Sequence, residues 1–77
     1  MQEPHEIEIR IRAYRDVITI LKETVDYYEY RLKSHHLDSQ DRKQVEYTIQ
    51  VLRDDVTVNE AMILNLEDDL DRAIDRE

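Results

Sequence analysis

The side chains best suited to chemistry are three histidines, His5, His35 and His36, and an abundance of carboxylates. His35 and His36 are adjacent and Asp38 follows them, so together they could hold a metal weakly. A tight site needs three or four converging ligands, and neighbouring histidines in a turn are ordinarily solvated. No histidine stands four residues from another, and no Glu-x-x-His or His-Glu-x-x-His pattern occurs. Asp54-Asp55 and Asp68-Asp69 are paired carboxylates, but acid–base catalysis needs such pairs in an apolar pocket that splits their pKa values. Serine occurs at Ser34 and Ser39 alone, and cysteine and glycine are absent. That excludes thiol nucleophiles, thiolate metal sites, disulfides and glycine loops that cradle phosphate. No catalytic, metal or cofactor-binding residues are assigned, and the expectation is a protein that is not an enzyme.

The elements that carry these residues follow from one spacing. After Pro4, which suits the first turn of a helix, apolar residues recur at Ile7, Ile11, Tyr14, Ile18, Leu21, Val25, Tyr28 and Leu32. A second run holds Val45, Ile49, Leu52, Val56, Asn59, Ile63, Leu66 and Leu70. Both advance by alternating steps of 4 and 3, the heptad seam of packed helices. Asn59 is the one polar member, expected to fix the register at some cost in stability.

Between the runs lies Ser34-His35-His36-Leu37-Asp38-Ser39-Gln40-Asp41, where Asp38 or Ser39 is suited to cap the second helix. So short a link turns the chain back on itself. The expected fold is all-α: one domain over residues 1–77, with helices near 5–34 and 39–76 and a turn near 35–38, forming an antiparallel two-helix coiled-coil hairpin. Pairing Leu32 with Val45 fixes a residue sum of 77, and that sum matches every seam residue of one helix to one of the other, ending at Ile7–Leu70. Flanking charges fit less well in this register: Arg10–Asp69 and Arg15–Glu60 attract, whereas Lys22–Arg53 and Glu29–Glu46 repel.

A hairpin half-buries its seam, and small domains without disulfides or metals are marginal. A second apolar stripe, Ile9, Ala13, Val17, Ile20 and Tyr27 with Tyr47, Val51, Val58 and Met62, is therefore expected to serve association. Its simplest use is a homodimer forming a four-helix bundle. Docking on another protein is the competing use.

Charge bounds the partners further. The chain carries 11 basic and 19 acidic residues, a net of −8. The bases are scattered and no basic amphipathic face exists, so direct binding to nucleic acid or to a membrane surface is not expected. Nor does any apolar run reach the ~20 residues of a membrane span, and with no signal-peptide pattern at the N-terminus a cytoplasmic location is expected. From Asp54 to Asp71 there are seven acids (Asp54, Asp55, Glu60, Glu67, Asp68, Asp69 and Asp71) and no base. These acids either lie beside Arg10 and Arg12 and serve solubility, or face a basic partner. The expected function is that of a small acidic regulator or inhibitor occupying a surface of a partner protein, in its sharper form a nucleic-acid mimic against a basic site, as in phage-type inhibitors. The alternative is a structural or assembly subunit.

Overall fold

The computed structural model describes residues 3–75. It consists of two helices, α1 (Pro4–Ser34) and α2 (Ser39–Asp75), packed against each other as an all-α hairpin. Position 76, where the second helix was expected to end, lies outside the described residues. The molecule is a rod 59 Å long and 14 by 13 Å across.

Local chemistry sets the helix ends. Pro4 stands at the start of α1, and the Ile7 amide donates to the Glu3 carbonyl at 3.2 Å. At the other end His35 leaves the helix in an extended conformation, its amide still bonded to the Arg31 carbonyl at 3.0 Å. Helices often end on a left-handed glycine; this chain has no glycine, and no described residue has a positive φ. Asp38 caps α2: its Oδ1 accepts from the Asp41 amide at 2.8 Å while its carbonyl accepts from the Arg42 amide at 2.9 Å. Within the helices Thr19, Thr24, Thr48 and Thr57 turn their hydroxyls back onto the carbonyl four residues earlier. That satisfies a polar group the helix face would otherwise present to the neighbouring side chains.

All sixteen seam residues are buried or half-buried. They form two clusters along the rod. One gathers Ile7, Ile11, Ile18, Ile63, Leu66 and Ala73 at the open end, with Tyr14, Val56 and Leu70 against them. The other gathers Val25, Val45 and Ile49 near the turn, with Tyr28, Leu32, Leu37 and Leu52. Ala73 continues the α2 seam by one further step of 3, and Leu37 folds the turn onto the core; both extend the seam beyond the two eight-residue runs. Asn59 is half-buried and donates through Nδ2 to the Asp55 carbonyl of its own helix at 2.7 Å. Its amide therefore makes this bond without a partner from α1.

The flanking charges differ from the register that the seam implies. Arg53 forms an ion pair with Glu29 across the hairpin, so the flank runs at a residue sum of 82. Long charged side chains reach along the helix axis, and each finds the opposite sign one heptad away from its level neighbour. The same offset sets Lys22 opposite Glu60 and Arg15 opposite Glu67, and Arg15, Glu60 and Glu67 do line one groove. The Glu29–Arg53 pair thereby gives one member of each repelling couple, Lys22–Arg53 and Glu29–Glu46, an attractive partner.

Candidate functional site

Heptad positions show where each surface residue stands. With Ile11, Ile18, Val25 and Leu32 as a, and Ile49, Val56, Ile63 and Leu70 as a on α2, the seam is a and d. In an antiparallel pair e faces e and g faces g. The Glu29–Arg53 ion pair joins two e positions and so marks the e side of the hairpin as charged. Two open grooves lie there, one lined by Lys22, Val25, Asp26, Arg53, Val56 and Thr57 and one by Arg15, Ile18, Glu60, Ile63, Leu64 and Glu67.

The g side is different. Val17 and Met62 are at g, and Ala13, Ile20, Tyr27, Val51 and Val58 are at the neighbouring c positions. These seven share one side of the rod, and all are exposed. The larger six range from 39% exposed at Met62 to 62% at Ile20. Ile9 and Tyr47 sit at f, on the outer margin of the same stripe, and are also exposed. Sequence reading did not single out Leu64 and Ile74, both exposed; they stand at b and e, off the stripe, where helical phase alone marks them as outward.

The turn-proximal tyrosines divide between the core and the surface. Tyr28 is half-buried in the seam with the Arg31 guanidinium 6.0 Å from its ring centre, and Tyr27 meets it edge-on at 5.4 Å. Tyr30 is exposed and meets His35 edge-on at 6.1 Å.

The seven acids between Asp54 and Asp71 are all exposed. They do not follow one line: Glu60 and Glu67 are at e, Asp54 and Asp68 at f, Asp55 and Asp69 at g, and Asp71 at b. Together they wrap the solvent half of α2. Asp68 pairs with Arg72 one turn on at 2.7 Å, and Asp54 accepts from Gln50 Nε2 at 2.9 Å. None of the carboxylates lies in an enclosed apolar pocket. Among the described residues no group of three or more His, Asp or Glu side chains is placed to hold a metal ion, and no helix is long and apolar enough to cross a membrane.

The chain exposes 6095 Å², against about 5,000 Å² for a globular monomer of 9.4 kDa. Its radius of gyration, 17.4 Å, compares with about 12 Å for a compact domain of this length. A thin rod thus leaves an excess of surface, and the c and g stripe is one apolar part of it, beside Tyr30, Leu64 and Ile74 elsewhere. Comparison with known proteins found no matching family model, no matching curated protein and no matching solved structure.

Proposed function

We propose that this chain is a non-enzymatic protein-interaction module that regulates or inhibits a partner protein by occupying a surface of it. The observation that carries this reading is the exposed apolar stripe of Val17, Ile20, Tyr27, Val51, Val58 and Met62 along one side of the rod. Small soluble proteins seldom expose a contiguous apolar patch of several hundred Å² unless it binds something. The stripe brings two copies together as a four-helix bundle, and the acids of α2 that lie off the c and g stripe, Asp54, Glu60, Glu67, Asp68 and Asp71, remain outside for capture of a basic surface. In the sharper form of the proposal those carboxylates stand in for nucleic-acid phosphates and block a nucleic-acid-binding site. Association of that kind is fast and weakens steeply with salt, because the Debye length falls from about 10 Å at 0.1 M to about 3 Å at 1 M.

A second reading, a structural or assembly subunit, is favoured by the heptad spacing of the stripe itself: Ala13, Val17, Ile20, Thr24 and Tyr27 advance by 4, 3, 4 and 3, as a helix-packing seam does. One experiment separates the two. Asp54, Asp68 and Asp71, which lie off the c and g stripe, are changed to Asn or Ser, and capture from lysate is compared with the parent at low and high salt. Loss of salt-sensitive partners with unchanged self-assembly supports capture of a basic partner. If the neutralised variant retains every partner of the parent, the mimicry reading is overturned.

A further inference from the structure

We infer that the occupant of the apolar stripe is a second copy of this chain, docked with its turn at the opposite end of the rod, about a two-fold axis perpendicular to the long axis near Val56 and Thr57. This rests on the dimer reading above and adds the geometry. Two hairpins that face each other through one side can be related in two ways. An axis along the rod puts both turns at one end; an axis across it puts them at opposite ends.

Charge decides between them. The open-end half of the described hairpin, residues 3–18 and 59–75, carries ten acids and four bases, a net of −6. The turn half, residues 19–58, carries eight acids and six bases, a net of −2. With both turns at one end, the −6 halves lie against each other. With the turns opposed, each −6 half lies against a −2 half, and the like-charge repulsion falls.

The α2 face agrees with the opposed arrangement. Its c and g positions form a seam of Gln44, Thr48, Val51, Asp55, Val58, Met62, Asn65 and Asp69. Folding this seam on itself, with paired residue numbers summing to 113, sets Val51 against Met62, Thr48 against Asn65 and Gln44 against Asp69 of the second copy. One step beyond, Asp41 meets Arg72, which in the single hairpin is paired with the neighbouring Asp68. Along α2 apolar falls on apolar and polar on polar, with Asp55 against Val58 the one mismatch, while on α1 the same centre sets Arg10 against Arg31 of the second copy. With the turns at one end, α1 faces α2, and the register that brings Val17 onto Val58 sets Glu6 on Asp69, so each arrangement holds one kind of like-charge contact and the net charge of the two halves decides. By the seam register the centre at Val56 and Thr57 is level with Leu21, so Val17, Ile20 and Thr24 of the two copies meet there as well.

The absence of native cysteine makes the test direct. His36, exposed in the turn, is changed to Cys in the full chain and spin-labelled, and the intermolecular distance is measured by pulsed electron resonance, with sedimentation equilibrium on the same sample. Turns at opposite ends predict about 45 Å, from twice the rise between position 36 and the level of Leu21 at 1.5 Å per residue. A distance near 20 Å, about two helix diameters, in a dimeric sample overturns the geometry and leaves the dimer standing. A folded monomer with no intermolecular distance overturns both.

Discussion

Arg53 of α2 is ion-paired with Glu29 of α1, 24 residues away in the chain, and this pair bridges the e side of the hairpin while Val17 and Met62 stand exposed at g on the other side. Both partners remain substantially exposed, at 57% and 36% of the side chain. Exposed pairs of this kind contribute about 0.2–1 kcal/mol. A double-mutant cycle on Glu29→Gln and Arg53→Gln is expected to give a coupling in that range at low salt, vanishing near 1 M salt. A coupling above about 2 kcal/mol would mean that the pair is far better shielded than its exposure indicates.

Val25 sits at the centre of the turn-proximal cluster, 8% exposed. Val25→Asp places a carboxylate there without a partner, at a cost of several kcal/mol, comparable with the whole stability of a domain this small. The variant is expected to be unfolded by circular dichroism. An unchanged spectrum and melting temperature would show that the seam is misassigned.

Asp38 holds the first turn of α2 through the 2.8 Å bond from the Asp41 amide. Asp38→Ala removes that acceptor and is expected to cost about 1 kcal/mol. For a domain of this size such a loss lowers the melting temperature by about 4–8 °C. Asp38→Asn keeps an acceptor and is expected to stay within a few tenths of a kcal/mol of the parent. Equal destabilisation by the two substitutions would refute the capping role.

Asn59 bonds to the Asp55 carbonyl of its own helix, so its removal strands no partner on α1. Asn59→Leu, opposite Ile18 in the seam, is expected to stabilise the hairpin by about 1 kcal/mol through added apolar burial, read as a higher melting temperature. The expected cost is looser pairing, because a polar residue in a seam disfavours shifted registers; sedimentation should then reveal mixed oligomers. A lower melting temperature would assign Asn59 a partner outside the single hairpin.

Val51, Val58 and Met62 are exposed on the stripe and contribute little to the core of one hairpin. Changing all three to Ser is expected to leave the helical signal of the hairpin and to lower self-association at least tenfold, measured by sedimentation equilibrium. Unchanged association would move the dimer contact off the g side.

The sequence by itself determined the two helices, the turn near Asp38 and which residues turn inward. Heptad spacing is a local property: each a or d residue is specified by its own chain, and a four-residue link leaves one way for two matched seams to meet. A cap at Asp38 or Ser39 was legible for the same reason, since a short side-chain acceptor beside a helix start bonds within its own turn, and the structure gives the role to Asp38. Tertiary structure decided what depends on reach and on phase between the helices. Arg53 prefers Glu29 to the level position because its long side chain spans a heptad, which a register of backbone numbers does not express. Ala73 and Leu37 joined the core because the far end and the turn close over them. The acids from Asp54 to Asp71 read as one run along the chain, yet a helix turns 100° at each residue, and in three dimensions they wrap α2 while the apolar c and g residues of both helices come to one side.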